Sequence, residues 1–213
     1  MPKFDNTKTE DLSEEQVKAL FKILDNDSNR QAALFMKIAL FTGLRRGEII
    51  KLKWSDIDFE RGFITLSPNK GGLQENIPLN SHVIAAINEL KSISFESDYL
   101  FPAKDGGQRE RFSFDKPLIR FRKEAGLPAD FRPMHGSRHY FASTLASSGK
   151  IDMYTLQKLL THKSPKMTQR YAHLRDEAIK KALDQEGFER LFASNFTWFP
   201  GVIFPGFSIS VSG

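Results

Sequence analysis

The chain has 213 residues, of which 40% are hydrophobic and 27% charged, so it is long enough for one domain with a sizeable core. It contains no cysteine, which excludes disulfides, thiolate catalysis and cysteine-ligated metal sites. The formal net charge of +5 favours a polyanionic partner only weakly. The first residues, MPKFDNTKTEDLSEEQ, lack the apolar stretch of a signal peptide, and this predicts a cytoplasmic protein.

Helical patterns dominate the first fifty residues. Ser13 and Gln16 have the spacing of a capping box, and an amphipathic helix is expected to follow them. Residues 30–41 are apolar almost all round, which predicts a helix in the middle of the core. Gly43 is expected to end that helix, before a short helix over about 46–52.

Two short runs with strand character come next, at 62–66 and 75–79. A glycine-rich turn that contains Lys70 joins them, so the segment reads as a β-hairpin. Pro78 cannot donate a backbone hydrogen bond, and its strand is therefore expected at an edge of the sheet.

From residue 81 onward the chain is again helical in pattern. Asp152 and Ser164 suit the N-cap positions of two of the later helices. Predicted helices are marked by residues 83–90, 114–125, 136–147, 153–161, 165–171 and 175–190. The sequence thus predicts an α+β fold, mostly helical, with one small antiparallel sheet made by the hairpin that carries Lys70.

The last stretch, residues 191–213, differs from the rest because it has five phenylalanines, Trp198 and no charged side chain. Two Phe-Pro-Gly steps and several polar residues interrupt it, so a membrane span is not expected. Three interpretations stay open: a tail that packs on its own domain, a segment that docks on a neighbouring subunit, and a cloning or reading-frame artefact.

A cluster of basic side chains begins at His135. On a helix, His135, Arg138 and His139 share one face because they lie at positions i, i+3 and i+4. The two histidines have the spacing of zinc ligands, but Gly136 stands where the usual glutamate would be, and an arginine would repel the cation. Taken alone, the cluster would be a solvated basic face.

Two other blocks change that interpretation. The chain carries TGLRRGE from residue 42, HGSRH from 135 and LLTHKSPKMTQRYAH from 159. Together, with the lysine hairpin between them, they resemble the boxes of the tyrosine recombinase (phage integrase) family, over about residues 12–191. The chain departs from the family pattern at Thr161, where the usual motif is Leu-Gly-His. It departs again at Gly136-Ser137, where an acidic-aliphatic pair is commoner.

The resemblance implies a role for each reactive side chain in the transfer of a DNA phosphate. The expected catalytic residues are two arginines on the phosphate, a hairpin lysine, two histidines and the tyrosine nucleophile: Arg45, Arg138, Lys70, His135, His162 and Tyr171. Glu48 would support Arg45, although it could equally form an ordinary i, i+3 pair. Residues expected to be structural or to contact the DNA backbone are Arg46, His139, Lys163 and Lys166.

These residue types suit the chemistry. Attack on a phosphodiester builds a highly charged phosphorane, and two guanidiniums can bind its oxygens while they stay protonated. Their fixed charge would replace a metal ion, so no metal and no cofactor are expected. A phosphotyrosyl bond conserves the energy of the broken bond, which removes the need for ATP, and the chain has no GxxxxGK[ST] loop.

The resemblance therefore implies a site-specific recombinase that cuts and rejoins double-stranded DNA through a 3′-phosphotyrosyl intermediate. Residues 1–190 would form the catalytic domain, and the helical core-binding domain that usually precedes it is expected to be absent. The family typically acts as a tetramer on paired DNA sites, and this chain is expected in the cytoplasm, at the nucleoid. Alternatives are a type IB topoisomerase-like relaxing activity and a non-catalytic DNA-binding accessory protein.

Overall fold

The computed structural model describes residues 12–67 and 74–182. Within these ranges the helices are α1 (Glu14–Asn26), α2 (Arg30–Thr42), α3 (Arg46–Ile49), α4 (Ser81–Ile93), α5 (Asp115–Glu124), α6 (Pro133–Ser147), α7 (Met153–Leu159), α8 (Pro165–Thr168) and α9 (Ala172–Ala182). The strands are β1 (Ile57–Asp58), β2 (Phe63–Leu66) and β3 (Glu75–Pro78). The predicted α+β fold is confirmed.

The N-terminal helices form as their end signals predict. The Ser13 side chain accepts from the backbone N–H of Gln16, and the Gln16 side chain accepts from the backbone N–H of Ser13. The capping box at α1 is therefore confirmed. Helix α2 is buried along most of its length, as its all-round apolar sequence predicts. Gly43 ends α2 with a φ of 65°, and a Cβ there would lie only 2.5 Å from Cδ1 of Phe141.

The sheet is antiparallel, with the strand order β1-β2-β3. Ile64 and Ile77 pair across β2 and β3, and both bury their side chains in the core. Strand β3 with Pro78 lies at an edge, as predicted. The third strand, β1, has only two residues and was not predicted, while the turn that carries Lys70 lies outside the described residues.

Among the residues that the structure describes, the buried side chains form two clusters. The larger one surrounds α2 and includes residues of α1, the sheet, α4 and α5. The smaller cluster joins the second half of α6 to α7 and to Tyr171: Ala142, Ala146, Leu156, Leu160 and Tyr171. Helix α6 belongs to both clusters, so it fixes the position of the tyrosine segment relative to the main core.

Where the structure describes them, the later helices differ from their predicted bounds mainly at their ends, and residues 183–190 of the helix predicted over 175–190 lie outside the described residues. Helix α6 begins at Pro133, a favourable first position, and so contains the whole basic cluster. The helix predicted over 165–171 is α8 followed by a 3-10 turn, Gln169–Tyr171. Across the described ranges, no helix is long and apolar enough to cross a membrane. The tail 191–213 is not among the described residues.

Candidate active site

Arg45 lies between α2 and α3, where Gly43 turns the chain out of the core helix. Its Nη1 donates to Oε1 of Glu48 at 3.0 Å, and its backbone N–H donates to the other carboxylate oxygen at 2.6 Å. The same Nη1 contacts the carbonyl and the hydroxyl of Thr161. The Glu48 carboxylate thus accepts from both the backbone N–H and the guanidinium of Arg45, and Thr161 contacts the same guanidinium.

Arg138 lies on α6 and is 8% exposed. Its guanidinium donates to the carbonyl of Gly43 at 2.7 Å and to the carbonyl of Leu160. Burial, followed by the nearby charge of Arg45, lowers the pKa of Arg138 to about 10. The side chain therefore stays cationic at neutral pH, and its two carbonyl bonds aim it at the loops that carry the other site residues.

His162 follows α7 and is half-buried. Its Nδ1 lies 2.8 Å from the hydroxyl of Thr168, which is itself buried. Burial first, then the charges of Arg138 and Arg45, lowers the pKa of His162 to about 4. The imidazole is therefore neutral at neutral pH, and when the Thr168 hydroxyl donates to Nδ1, the Nε2–H can donate to an anion.

Tyr171 is 3% exposed, and its hydroxyl lies 2.8 Å from Nδ1 of His139. His139 is also buried, at 2% exposure. Burial, with His135 as the next cause, lowers the pKa of His139 to about 3, so this imidazole is neutral as well. His139 had been expected to be structural or to contact the DNA backbone. Its buried position does not suit a backbone contact, and it is the partner of the tyrosine hydroxyl instead.

The tautomer of His139 follows from its other neighbours. Its Nε2 lies 2.9 Å from Nε2 of the exposed His135 and 3.4 Å from Nη1 of Arg170. A guanidinium can only donate, so when Nε2 of His139 accepts from Arg170 its proton sits on Nδ1. That Nδ1–H then donates to the phenolic oxygen of Tyr171, an arrangement that would stabilise the oxygen as it becomes negative.

The remaining predicted residues are placed as follows. Lys70 lies outside the described residues. Arg46 is bonded to Asp115 and stacks over Phe112, so its guanidinium is engaged within the chain. Lys163 and Lys166 are exposed near the start of α8, where contact with a DNA backbone stays a prediction.

Four separate segments thus bring together the groups that the sequence singled out. Arg45 comes from the loop after α2, Arg138 from α6, His162 from the turn after α7 and Tyr171 from the 3-10 turn after α8. Two fixed cations beside a tyrosine and two neutral imidazoles suit the binding of a phosphate and its attack by a phenol. Among residues 12–67 and 74–182, no group of three or more His, Asp and Glu could hold a metal ion.

Comparison with known proteins gives consistent relatives. Residues 10–178 match the model of the phage integrase family. The tyrosine recombinase XerA of Pyrococcus furiosus is 34% identical over 186 residues, which cover 86% of this chain and 64% of that protein. The tyrosine recombinase XerC of Xanthomonas axonopodis pv. citri is 33% identical over 152 residues, 70% of this chain and 48% of that protein.

Solved structures agree at the level of the fold. The crystal structure of XerA recombinase superposes with a TM-score of 0.67 at 24% identity, over 84% of this chain and 66% of that one. The Tn1549 transposon integrase, in complex with circular intermediate DNA, gives 0.70 at 22% identity, over 86% and 69%. The chain spans slightly less than two thirds of the length of its XerA relatives. The sequence match and the fold agree, and the chain belongs to the phage integrase family.

Proposed function

We propose that this chain carries the catalytic centre of a site-specific DNA recombinase, with Tyr171 as its nucleophile. Tyr171 Oη gives up its proton to solvent and attacks the scissile phosphorus, a phosphorus–oxygen bond to Oη forms, and the bond to the 5′ oxygen breaks. The 5′ oxygen leaves as an alcohol with a proton from Lys70. Rejoining is the reverse, with the 5′ hydroxyl of a partner strand as the attacking group.

The observation that carries the proposal is the convergence of Arg45, Arg138 and Tyr171 from distant parts of the chain. Leu160 and Thr161 are adjacent, and each accepts from one of the two guanidiniums, so the pair of cations is held by a single turn. Such preorganised charge stabilises a phosphorane because it needs no reorganisation as the negative charge develops.

His162 and His135 complete the proposed site. A neutral His162 can donate from Nε2 to a nonbridging oxygen, while His135, which is exposed and bonded to His139, can exchange protons with solvent near the nucleophile. Tyr171 is buried and faces His139, so its hydroxyl must turn outward, or the segment must shift, when DNA binds.

Double-stranded DNA is the proposed substrate and partner. Structural neighbours were solved in such complexes: the XerH recombinase bound to a palindromic difH substrate, and the Tn1549 integrase in complex with circular intermediate DNA. A tetramer on two paired sites is the assembly that strand exchange between two duplexes would need. A protein that acts on chromosomal or phage DNA would work in the cytoplasm, at the nucleoid.

A nicked DNA substrate tests the proposal. Cleavage near a nick releases a short strand, so rejoining fails and the covalent complex accumulates. The wild-type chain should give an SDS-resistant protein–DNA complex on its target site, and Tyr171→Phe should bind the same DNA without forming one. A normal adduct yield from Tyr171→Phe would move the nucleophile elsewhere.

The same experiment separates the alternatives. A DNA-binding accessory protein binds the duplex and gives no adduct. An enzyme of the type IB topoisomerase kind gives an adduct and relaxes supercoils, but it does not exchange strands between two intact duplexes. A recombinase gives the adduct and exchanges strands between two intact duplexes that carry its site, so a labelled second duplex with an intact site decides between them.

A further inference from the structure

The turn after α7 has an unusual residue at its centre. The N–H of Thr161 donates to the carbonyl of Lys158 at 2.9 Å, and the N–H of His162 donates to that of Gln157 at 3.0 Å. This pattern is a Schellman motif with Thr161 at the C′ position, where glycine is usual because the residue must be left-handed. Thr161 has a φ of 50°, the single positive value at a non-glycine residue in the part of the chain that the structure describes.

A β-branched residue is a rare choice for that conformation. Its Cβ crowds the backbone, so a threonine here is strained relative to a glycine. The family motif Leu-Gly-His has glycine at this position, and the chain has Leu160-Thr161-His162. Strained residues that persist in a structure are found mostly where the side chain has a use in the site.

The Thr161 side chain has such a use. It is 5% exposed, its hydroxyl lies 3.2 Å from Oε1 of Glu48, and it also contacts Nη1 of Arg45. The hydroxyl donates to the carboxylate and accepts from the guanidinium, so it sits inside the Arg45–Glu48 pair. A glycine could supply only the backbone carbonyl, which accepts from the same Nη1 at 3.3 Å.

We propose that Thr161 is a positioning residue for Arg45. Its hydroxyl and carbonyl, together with Glu48, occupy Nη1 and fix the rotation of the guanidinium. The arginine side chain is 41% exposed, and the edge formed by Nε and Nη2 is the one that this arrangement presents to a phosphate. This role rests on the proposed function, in which Arg45 binds the scissile phosphate.

Three variants separate the hydroxyl from the backbone strain. Thr161→Val keeps the shape and removes the hydroxyl, Thr161→Ser keeps the hydroxyl, and Thr161→Gly removes the side chain and relaxes the turn. Single-turnover adduct formation on nicked DNA, DNA affinity and the melting temperature are measured for each. A hydrogen bond to a charged group justifies an expected loss of about 10- to 100-fold in the cleavage rate.

We expect Thr161→Val and Thr161→Gly to cleave about 10- to 100-fold more slowly at near-unchanged DNA affinity, and Thr161→Ser to recover most of the rate. Thr161→Gly should at the same time melt about 2–4 °C higher, since the strain is relieved. A purely structural threonine cannot give this combination of a more stable protein and a slower reaction.

An Arg45→Lys background supplies the matched control. A lysine ammonium has no planar edge that must be oriented toward the phosphate. Thr161→Val should therefore slow the cleavage by Arg45→Lys only a little further, whereas independent effects of the two substitutions would multiply in the cleavage rate. If the wild-type chain cleaves DNA and both Thr161→Gly and Thr161→Val cleave it at the same rate, the positioning role of Thr161 is overturned. The proposed function is not affected by that result. A wild-type chain that forms no adduct would instead count against the proposed function.

Discussion

At the scale of single residues, the site divides its work between fixed cations and neutral histidines. Arg138 keeps its charge even though it is buried, because its pKa falls only to about 10. His139 and His162 lose theirs: burial, followed by His135, lowers the pKa of His139 to about 3, and burial, followed by Arg138 and Arg45, lowers the pKa of His162 to about 4. A proton donor for the leaving 5′ oxygen must therefore come from another group, and Lys70 is the expected source.

Lys70→Ala should bind DNA and cleave it slowly, since an alkoxide is a poor leaving group without an acid. Replacing the 5′-bridging oxygen of the scissile phosphate by sulfur should restore most of the cleavage rate, because a thiol has a pKa near 8.5 and leaves as the thiolate. Single-turnover cleavage of the two substrates measures the effect.

Arg45→Ala is the control for the sulfur substrate. Its defect lies in the charge of the phosphorane and not in the leaving group, so sulfur should not rescue it. If sulfur rescues neither variant, or both equally, Lys70 is not the acid and His135 becomes the next candidate.

At the scale of elements, the sequence predicted those features of the helices that depend on neighbouring residues. The all-round apolar sequence of α2 predicts its burial, and the capping box and Gly43 predict helix ends, because each signal involves neighbouring residues. Strand β1 was missed because two residues carry no readable period.

The partner of the nucleophile could not be predicted in the same way. Helical spacing shows that His135, Arg138 and His139 share a face, but not which part of the chain covers that face. Tyr171, 32 residues further on, packs against His139. The resemblance supplied the residues of the site, and the packing of α6 against the later turns supplied their contacts.

Helix α6 also explains one departure from the family pattern. A Cβ at Gly136 would lie 2.1 Å from Cε2 and 2.2 Å from Cζ of Phe131, a ring that is 4% exposed. The ring lies where any larger side chain at position 136 would go, so the glycine and the phenylalanine form a matched pair.

Gly136→Ala should therefore destabilise the protein by about 1–3 kcal/mol through overpacking. Helix propensity alone predicts a gain of up to about 1 kcal/mol for the same change. In a Phe131→Leu background the clash is reduced, and the alanine should be nearly neutral or stabilising. Urea denaturation measures the free energy of unfolding of all four combinations.

Gly47→Ala is a suitable control, because an added Cβ in α3 meets nothing within 4 Å. It should be neutral or stabilising by up to about 1 kcal/mol. A more stable Gly136→Ala in the wild-type background would show that the ring moves away at no cost and that the pairing has no energetic weight.

At the scale of the whole molecule, the two depressed histidines link stability to pH. Their folded pKa values of about 3 and about 4 lie below the ordinary value near 6.5, so the unfolded chain binds more protons as the pH falls below about 6.5. Stability is complete above that pH and decreases toward pH 4, by up to about 1.4 kcal/mol per pH unit for each histidine.

The free energy of unfolding should accordingly fall by up to about 4 kcal/mol between pH 7 and pH 5, a range in which carboxylates are ionised in both states. Denaturant titrations at the two values measure the fall. His139→Gln should reduce it by about half, and the exposed His82→Gln serves as the control for loss of a histidine. Equal stability at pH 7 and pH 5 would contradict the buried, neutral state of both imidazoles.

The central claim is that Tyr171 forms the covalent bond to DNA, and mass mapping of the trapped complex tests it most directly. The wild-type adduct is digested with protease and nuclease, and the peptide that retains a nucleotide is sequenced by mass spectrometry. One modified peptide is expected, in which a nucleotide is joined through its 3′ phosphate to the hydroxyl oxygen of Tyr171. A nucleotide on Tyr140, Tyr154 or any other residue would contradict it.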